Sequence, residues 1–223
     1  KVPEVKTDKD LEILNKNFNL MIDRLKDQQE KLIINERQSG KIYKNKGLFN
    51  EYEWKIDLEN KICIDIGAST GGFTDVLLQN KAKHIYCVDV GRGQLDWKLR
   101  KNEKITVMDK TNIRNISLEE VDKSIEVITC DLSFISIQKA LEKIIQFNKN
   151  NLTLIVLVKP QFELSRDKVG KNGIVTNAQY RDEAVENTRN WLMLNNWNII
   201  DQKQSIIKGT KGNIEYFIYA IKD

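Results

Sequence analysis

From residue 61 onward, short β-branched and apolar runs alternate with stretches of helical periodicity, a pattern that few folds tolerate. KICIDI, HIYCVDV, KITVMD, IEVITCDL and LTLIVLVKP read as strands. Residues 72–80, 93–101, 136–148 and 177–195 read as the helices between and after them. Such alternation predicts a mostly parallel sheet covered on both faces, joined by right-handed crossovers. The last two β-rich runs, WNIIDQKQSI and IEYFIYAI, lack an intervening helix. They predict a hairpin and an antiparallel edge.

The exit of the first strand, DIGASTGGFTD, reads as strand, glycine turn and helix, the arrangement that holds nucleotide-like ligands. Three ligand classes compete for it. A nucleoside triphosphate loop needs Gly-Lys-Ser/Thr at its end, and here Gly71-Gly72 is followed by Phe73. A dinucleotide fingerprint needs three spaced glycines, and Ser69 stands where backbone must approach pyrophosphate. Asp65, at the strand end, would repel phosphates but attract the ammonium and sulfonium of S-adenosylmethionine, directly or through water. Asp89 ends the second strand, where a carboxylate takes ribose hydroxyls, and Asp109 ends the third, a position suited to the adenine amino group. The reading is adenosylmethionine. Its expected contacts are Asp65, Gly67, Ala68, Ser69, Thr70, Gly71, Gly72, Phe73, Asp89, Val90, Asp109 and Asp131.

The remaining features set bounds. At 223 residues the chain can bury one sizeable core, and no run is long and apolar enough for a membrane span. It opens on Lys1 rather than Met, which leaves a longer parent open. Cys63, Cys87 and Cys130 sit in separate predicted strands, predicting buried reduced thiols and a cytoplasmic setting. With no CxxC and His84 the sole histidine, no metal site is expected. The net charge of +4 lies wholly in residues 61–223, because the charges of residues 1–60 cancel. That permits binding to a polyanion without marking a purely electrostatic nucleic-acid binder.

Residues 8–35 read as one helix with an a/d seam of Leu11, Leu14, Phe18, Met21 and Leu25, offering a homodimer contact or a face for its own domain. Residues 1–39 resemble the end of a HAMP module and the linker after it, as in nitrogen-regulation-type sensor histidine kinases. The phospho-accepting His-Glu-x-x-Asn-Pro is absent, so kinase activity has no residue to act through. The expected division is a HAMP-like helix at 1–40, a linker at 41–60 with a short helix near 47–55, and an α/β domain at 61–223.

DIGASTGGFTDVLL, VDVGRGQLDWKLR, DKTNIR, CDLSFISI, LVKPQFE, VGKNGIV and GNIEYF resemble, in order and spacing, the TlyA family of ribosomal RNA 2′-O-methyltransferases. Its members are also called hemolysin A and are related to FtsJ-type enzymes. The resemblance implies a Rossmann-like class I methyltransferase with a seven-stranded, mostly parallel sheet, adenosylmethionine as donor, and rRNA or ribosomal subunits as partner. The family's Lys-Asp-Lys-Glu set falls here on Asp131, Lys159 and Glu215. A ribose hydroxyl is a poor nucleophile and needs a base and an in-line path, which makes Lys159 the expected general base. The first lysine is less defined: the usual glycine- and arginine-rich motif is replaced by YKNKGLFNEYEWKI, where Lys46 is the candidate with Lys44 behind it. The family's N-terminal S4 RNA-binding domain has no counterpart. RNA contacts are then expected from ELSRDKVGKNGIV, Arg92, Arg100 and Arg114, with Trp54 and Phe162 as stacking or core aromatics. Two other functions stand beside this one. The first is a non-catalytic remnant that keeps the adenosylmethionine-binding fold. The second is hemolysin-type membrane activity, which the lack of an apolar span disfavours.

Overall fold

The computed structural model describes residues 54, 56–116, 121, 124–146 and 151–222, without the side chains of residues 146 and 210. The chain divides into two units, residues 1–40 and 41–223, and all described residues belong to the second. The predicted helix over 8–35, its dimer seam, the helix near 47–55, Lys44 and Lys46 lie outside the described residues.

Seven strands form one sheet in the order β3-β2-β1-β4-β5-β7-β6. They are β1 Ile62–Ile66, β2 His84–Val88, β3 Ile105–Met108, β4 Val127–Cys130, β5 Leu152–Val158, β6 Asn198–Gln204 and β7 Tyr216–Lys222. The pairs among β1 to β5 are parallel, and β7 is antiparallel to both β5 and β6. The predicted hairpin forms, but its second strand inserts between β5 and β6, leaving β6 at the edge. The register decides what this brings together. Val158 pairs with Tyr216, so the start of β7 lies beside the carboxyl end of β5.

Alternation along each strand sends side chains to two faces. Ile62, Ile64 and Ile66 of β1 pack with Leu154, Val156 and Val158 of β5. On that face lie α3 (Ile137–Leu141), through Ile137 and Leu141, and α5 (Ala178–Leu194), through Val185 and Leu192. Cys63 points to the other face, under α1 (Gly72–Gln79) and α2 (Trp97–Arg100) through Leu77 and Leu99. All three cysteines are buried and unpaired.

Three helices differ from expectation. The one predicted over 136–148 forms only α3, Ile137–Leu141, and a separate 3-10 turn at Ile144–Gln146. The helix predicted over 93–101 shrinks to α2, because Asp89 Oδ1 accepts from Gly91 N (2.7 Å) and Gly93 takes φ 66°, holding a loop until Asp96 caps Lys98 N. A short helix α4, Pro160–Glu163, starts directly after β5, with proline at a position where its missing N–H costs nothing. Trp54 is buried, its ring against Tyr219 (5.4 Å) and its Nε1 on Asp201 Oδ2 (2.7 Å). That makes Trp54 a core anchor, and the expectation of base stacking there is withdrawn.

Candidate active site

The carboxyl ends of β1, β2 and β4 open into a cleft of about 610 Å³. The strand order reverses between β1 and β4, and open α/β sheets take ligands at that point.

Asp65 lies beneath this cleft. It is 1% exposed, and its Oδ2 accepts from Thr74 N (2.9 Å) and Thr74 Oγ1 (2.6 Å) while Oδ1 accepts from Thr129 Oγ1 (3.0 Å). Burial pushes its carboxyl up to about 6, and the threonine donors pull the other way. Its oxygens are engaged by protein donors, so it ties the start of α1 to β1 and β4 and does not line the cleft.

The glycine turn folds its amides inward. Gly67 N and Ala68 N both donate to Val88 O (2.8 and 3.2 Å), and Gly71 N donates to Ala68 O (2.8 Å). Ser69 N donates to Asp89 Oδ2 (2.8 Å). A phosphate-binding loop turns such amides toward its ligand; here they are spent on carbonyls and on Asp65 and Asp89. Two of the glycines are required sterically. Gly67 (φ 79°) has no room for a Cβ against the Asp131 carbonyl oxygen, and Gly71 (φ 100°) has none against Leu99.

Of the expected cofactor contacts, Gly67, Ser69, Asp89, Val90 and Asp131 line the cleft, whereas Ala68, Thr70, Gly71, Gly72 and Phe73 do not. Phe73 is buried edge-on against Phe217 (6.3 Å) in the core. Asp109 also turns away, taking Arg100 Nη2 on both oxygens (3.0 and 2.8 Å) and Gly93 N on Oδ2 (3.1 Å). The Arg100 guanidinium holds that carboxyl below its ordinary range. Arg100 is thereby engaged, while Arg92 and Arg114 are exposed, and Arg114 lines the cleft. Past β3, Asn112 and Ile113 occupy the wall expected of Asp109. They followed a strand whose end drew attention to its carboxylate alone.

Beyond Asp131 the sheet brings three charged groups to one edge. Asp131 follows β4, Lys159 follows β5, and Glu215 precedes β7; these three strands are neighbours. Lys159 Nζ lies 2.5 Å from Asp131 Oδ1 and 2.9 Å from Ser133 Oγ. Lys159 is 9% exposed and Glu215 2%. Gln161 Nε2 donates to Glu215 Oε1 at 3.5 Å, and Gly209 is packed so closely on that carboxylate that a Cβ would collide with it. Ser133 was not anticipated; its only signal was its place two residues after a strand-end aspartate. Its neighbour Phe134 is 90% exposed at φ 67°, with its ring 5.1 Å from Phe162. The loop carrying VGKNGIV is pinned from across the sheet: Asn213 Oδ1 accepts from Val175 N (3.0 Å) and its Nδ2 donates to Gly173 O (2.8 Å).

Residues 39–222 match the model of the FtsJ-like methyltransferase family. The chain belongs to that family. Hemolysin A of Brachyspira hyodysenteriae is 43% identical to this FtsJ-like chain over 171 residues, 76% of this chain and 71% of that protein. The 16S/23S rRNA (cytidine-2′-O)-methyltransferase TlyA of Mycobacterium tuberculosis is 37% identical over 164 residues, 74% of this chain. This chain spans only 61% of that mycobacterial protein's length. A crystal structure from Lactococcus lactis, of a protein whose hemolysin name is provisional, superposes with TM-score 0.76 at 35% identity, covering 83% of this chain and 88% of that one. The Rossmann-like seven-stranded sheet expected from the sequence is the fold of this FtsJ-like domain. Among the described residues, no helix is long and apolar enough to cross a membrane and no group of side chains could hold a metal ion.

Proposed function

We propose that this chain transfers the methyl group of S-adenosylmethionine to a ribose 2′-hydroxyl of ribosomal RNA. The observation that carries the reading is Lys159, held by Asp131 and Ser133 of the cleft wall, at the end of the strand beside which buried Glu215 lies. The names of the relatives support a ribosomal RNA acceptor.

The cleft suits this donor. Its volume of about 610 Å³ falls in the range of small-molecule sites. Its glycine turn spends amides on Val88 O, Ala68 O and the Asp89 carboxylate, where phosphates would need them. Asp89, fixed by the amides of Ser69 and Gly91, would take the ribose hydroxyls; Asn112 and Ile113 would flank the base. Bound adenosylmethionine supplies an electrophilic methyl on a sulfonium.

The chain's own residues then act on the acceptor. Asp131 and Ser133 fix the Lys159 amine, so that it can meet a ribose hydroxyl presented at the end of the cleft. The hydroxyl oxygen forms a bond to the methyl carbon as the carbon–sulfur bond breaks, and its proton passes to the Lys159 amine and on to solvent. Glu215 orients the hydroxyl from β7, and Lys46 is the fourth member of the set on this reading. Phe134 and Phe162 present rings beside Ser133 on which an extruded base can stack. A ribosomal acceptor places the activity in the cytoplasm.

The test is tritiated methyl transfer to ribosomal subunits by the full chain, Lys159→Ala and Lys159→Arg. Both variants are expected to lose about 100-fold or more, because arginine keeps the charge but cannot take the proton. Full activity of Lys159→Arg would remove the proposed base; no transfer by the unaltered chain to either subunit would remove the reading.

A further inference from the structure

Glu163 stands outside the expected catalytic set, yet it joins the two segments that carry Asp131 and Lys159. It ends α4, one turn after Lys159, and that turn is closed by Phe162 N on Lys159 O (2.8 Å) and Leu164 N on Pro160 O (3.2 Å). Its Oε1 accepts from Ile137 N at 3.0 Å, 26 residues away. Ile137 is the first residue of α3, whose N-cap, Ser136, makes no side-chain cap bond. The first amides of a helix need an acceptor; here it comes from another segment. Between Asp131 and Ile137 runs the loop with Ser133 and with Phe134 in the left-handed region.

Two short segments, 131–137 and 159–163, are therefore linked at both ends. At one end Lys159 meets Asp131 and Ser133, and at the other Glu163 meets Ile137. We infer that Glu163 is a positioning residue for methyl transfer: its cap on α3 sets the distance at which Asp131 and Ser133 hold Lys159. The inference rests on the function proposed above. Burial pushes the Glu163 carboxyl up to about 7, with the Ile137 amide opposing. Its link lies on the β4–β5 side, where residues 131–135 form the wall of the cleft that includes Ser69 and Asp89.

Four forms of the full chain test this: unaltered, Glu163→Ala, Glu163→Gln, and Glu163→Ala combined with Ser136→Asp. The double variant returns a local cap to α3 without the bridge. Glu163→Ala is expected to lower kcat about 10- to 100-fold and to weaken adenosylmethionine binding by a smaller factor, because the displaced amine acts on rate alone whereas Asp131 and Ser133 also line the cleft. Glu163→Gln keeps an acceptor oxygen and should recover kcat to within about threefold. The double variant should recover thermal stability but not kcat. Recovery of kcat in the double variant would reduce Glu163 to a helix cap and overturn the inference. So would a folded Glu163→Ala with full kcat, or a glutamine variant as slow as alanine. An unaltered chain that transfers no methyl would instead sink the proposed function. The crystal structure of Glu163→Ala then decides the positioning claim alone: a Lys159–Asp131 contact still at 2.5 Å overturns it.

Discussion

Thr129→Val tests whether Asp65 is held as a buried carboxylate. The substitution keeps shape and removes the hydroxyl that donates to Asp65 Oδ1 at 3.0 Å. The folded carboxyl titrates near 6 against a reference of 3.8, so the folded state binds this proton more tightly than the unfolded chain. The sign follows from that order. The group's contribution to stability is greatest below about 3.8 and is lost as pH rises through about 6, a loss of ~3 kcal/mol. Above pH 6 the valine variant faces an ionised carboxylate short of one donor, a cost of ~1.5–3 kcal/mol. Below pH 4 it loses a bond to a neutral acid, about 1 kcal/mol. The penalty should therefore grow by ~0.5–2 kcal/mol between pH 4 and pH 8. Urea unfolding of both forms across that range, followed by tryptophan fluorescence from buried Trp197, measures it. A penalty that is flat with pH, or larger at pH 4, would refute the account of Asp65.

Two further substitutions separate the halves of the site. Asp89→Asn replaces one of the oxygens that receive the Ser69 and Gly91 amides, and should weaken adenosylmethionine binding in calorimetry by about 10-fold or more. Gly209→Ala drives a methyl into the Glu215 carboxylate; it should cost about 1–3 kcal/mol of stability by denaturant titration and lower methyl transfer, with donor binding unchanged.

The strands were legible because each is a β-branched run bounded by charge or glycine, and a run of this kind has one good use in an α/β chain. Strand order was not. Nothing local in IEYFIYAI says that it enters between β5 and β6, although only that insertion lays Glu215 beside the end of β5. Strand ends were read for the charges they carry, and the structure sets Asp89 and Asp131 on the cleft. That reading misplaced Asp65 and Asp109, whose partners, Thr129 and Arg100, are set by contacts that spacing does not reveal. Ser133 and Glu163 escaped notice for the same reason: each matters through a residue 26 positions away.

The order of the sheet also explains why the two halves can be perturbed apart. β1, β2 and β3 lie to one side of the switch point and lead into the turn, Asp89 and Asn112; β4, β5 and β7 lie to the other, with Asp131 and Lys159 following β4 and β5 and Glu215 preceding β7. Asp131 belongs to both. It lines the cleft and grips the lysine, and its carbonyl oxygen presses on Gly67, where no side chain fits. A bulkier residue at 67 would push the β4 exit away from the turn, so it should damage donor binding and lysine placement together. Substitutions at Asp89 and Gly209 should each damage one. That difference follows from topology, because Gly67 and Asp131 directly follow the two strands between which the sheet reverses.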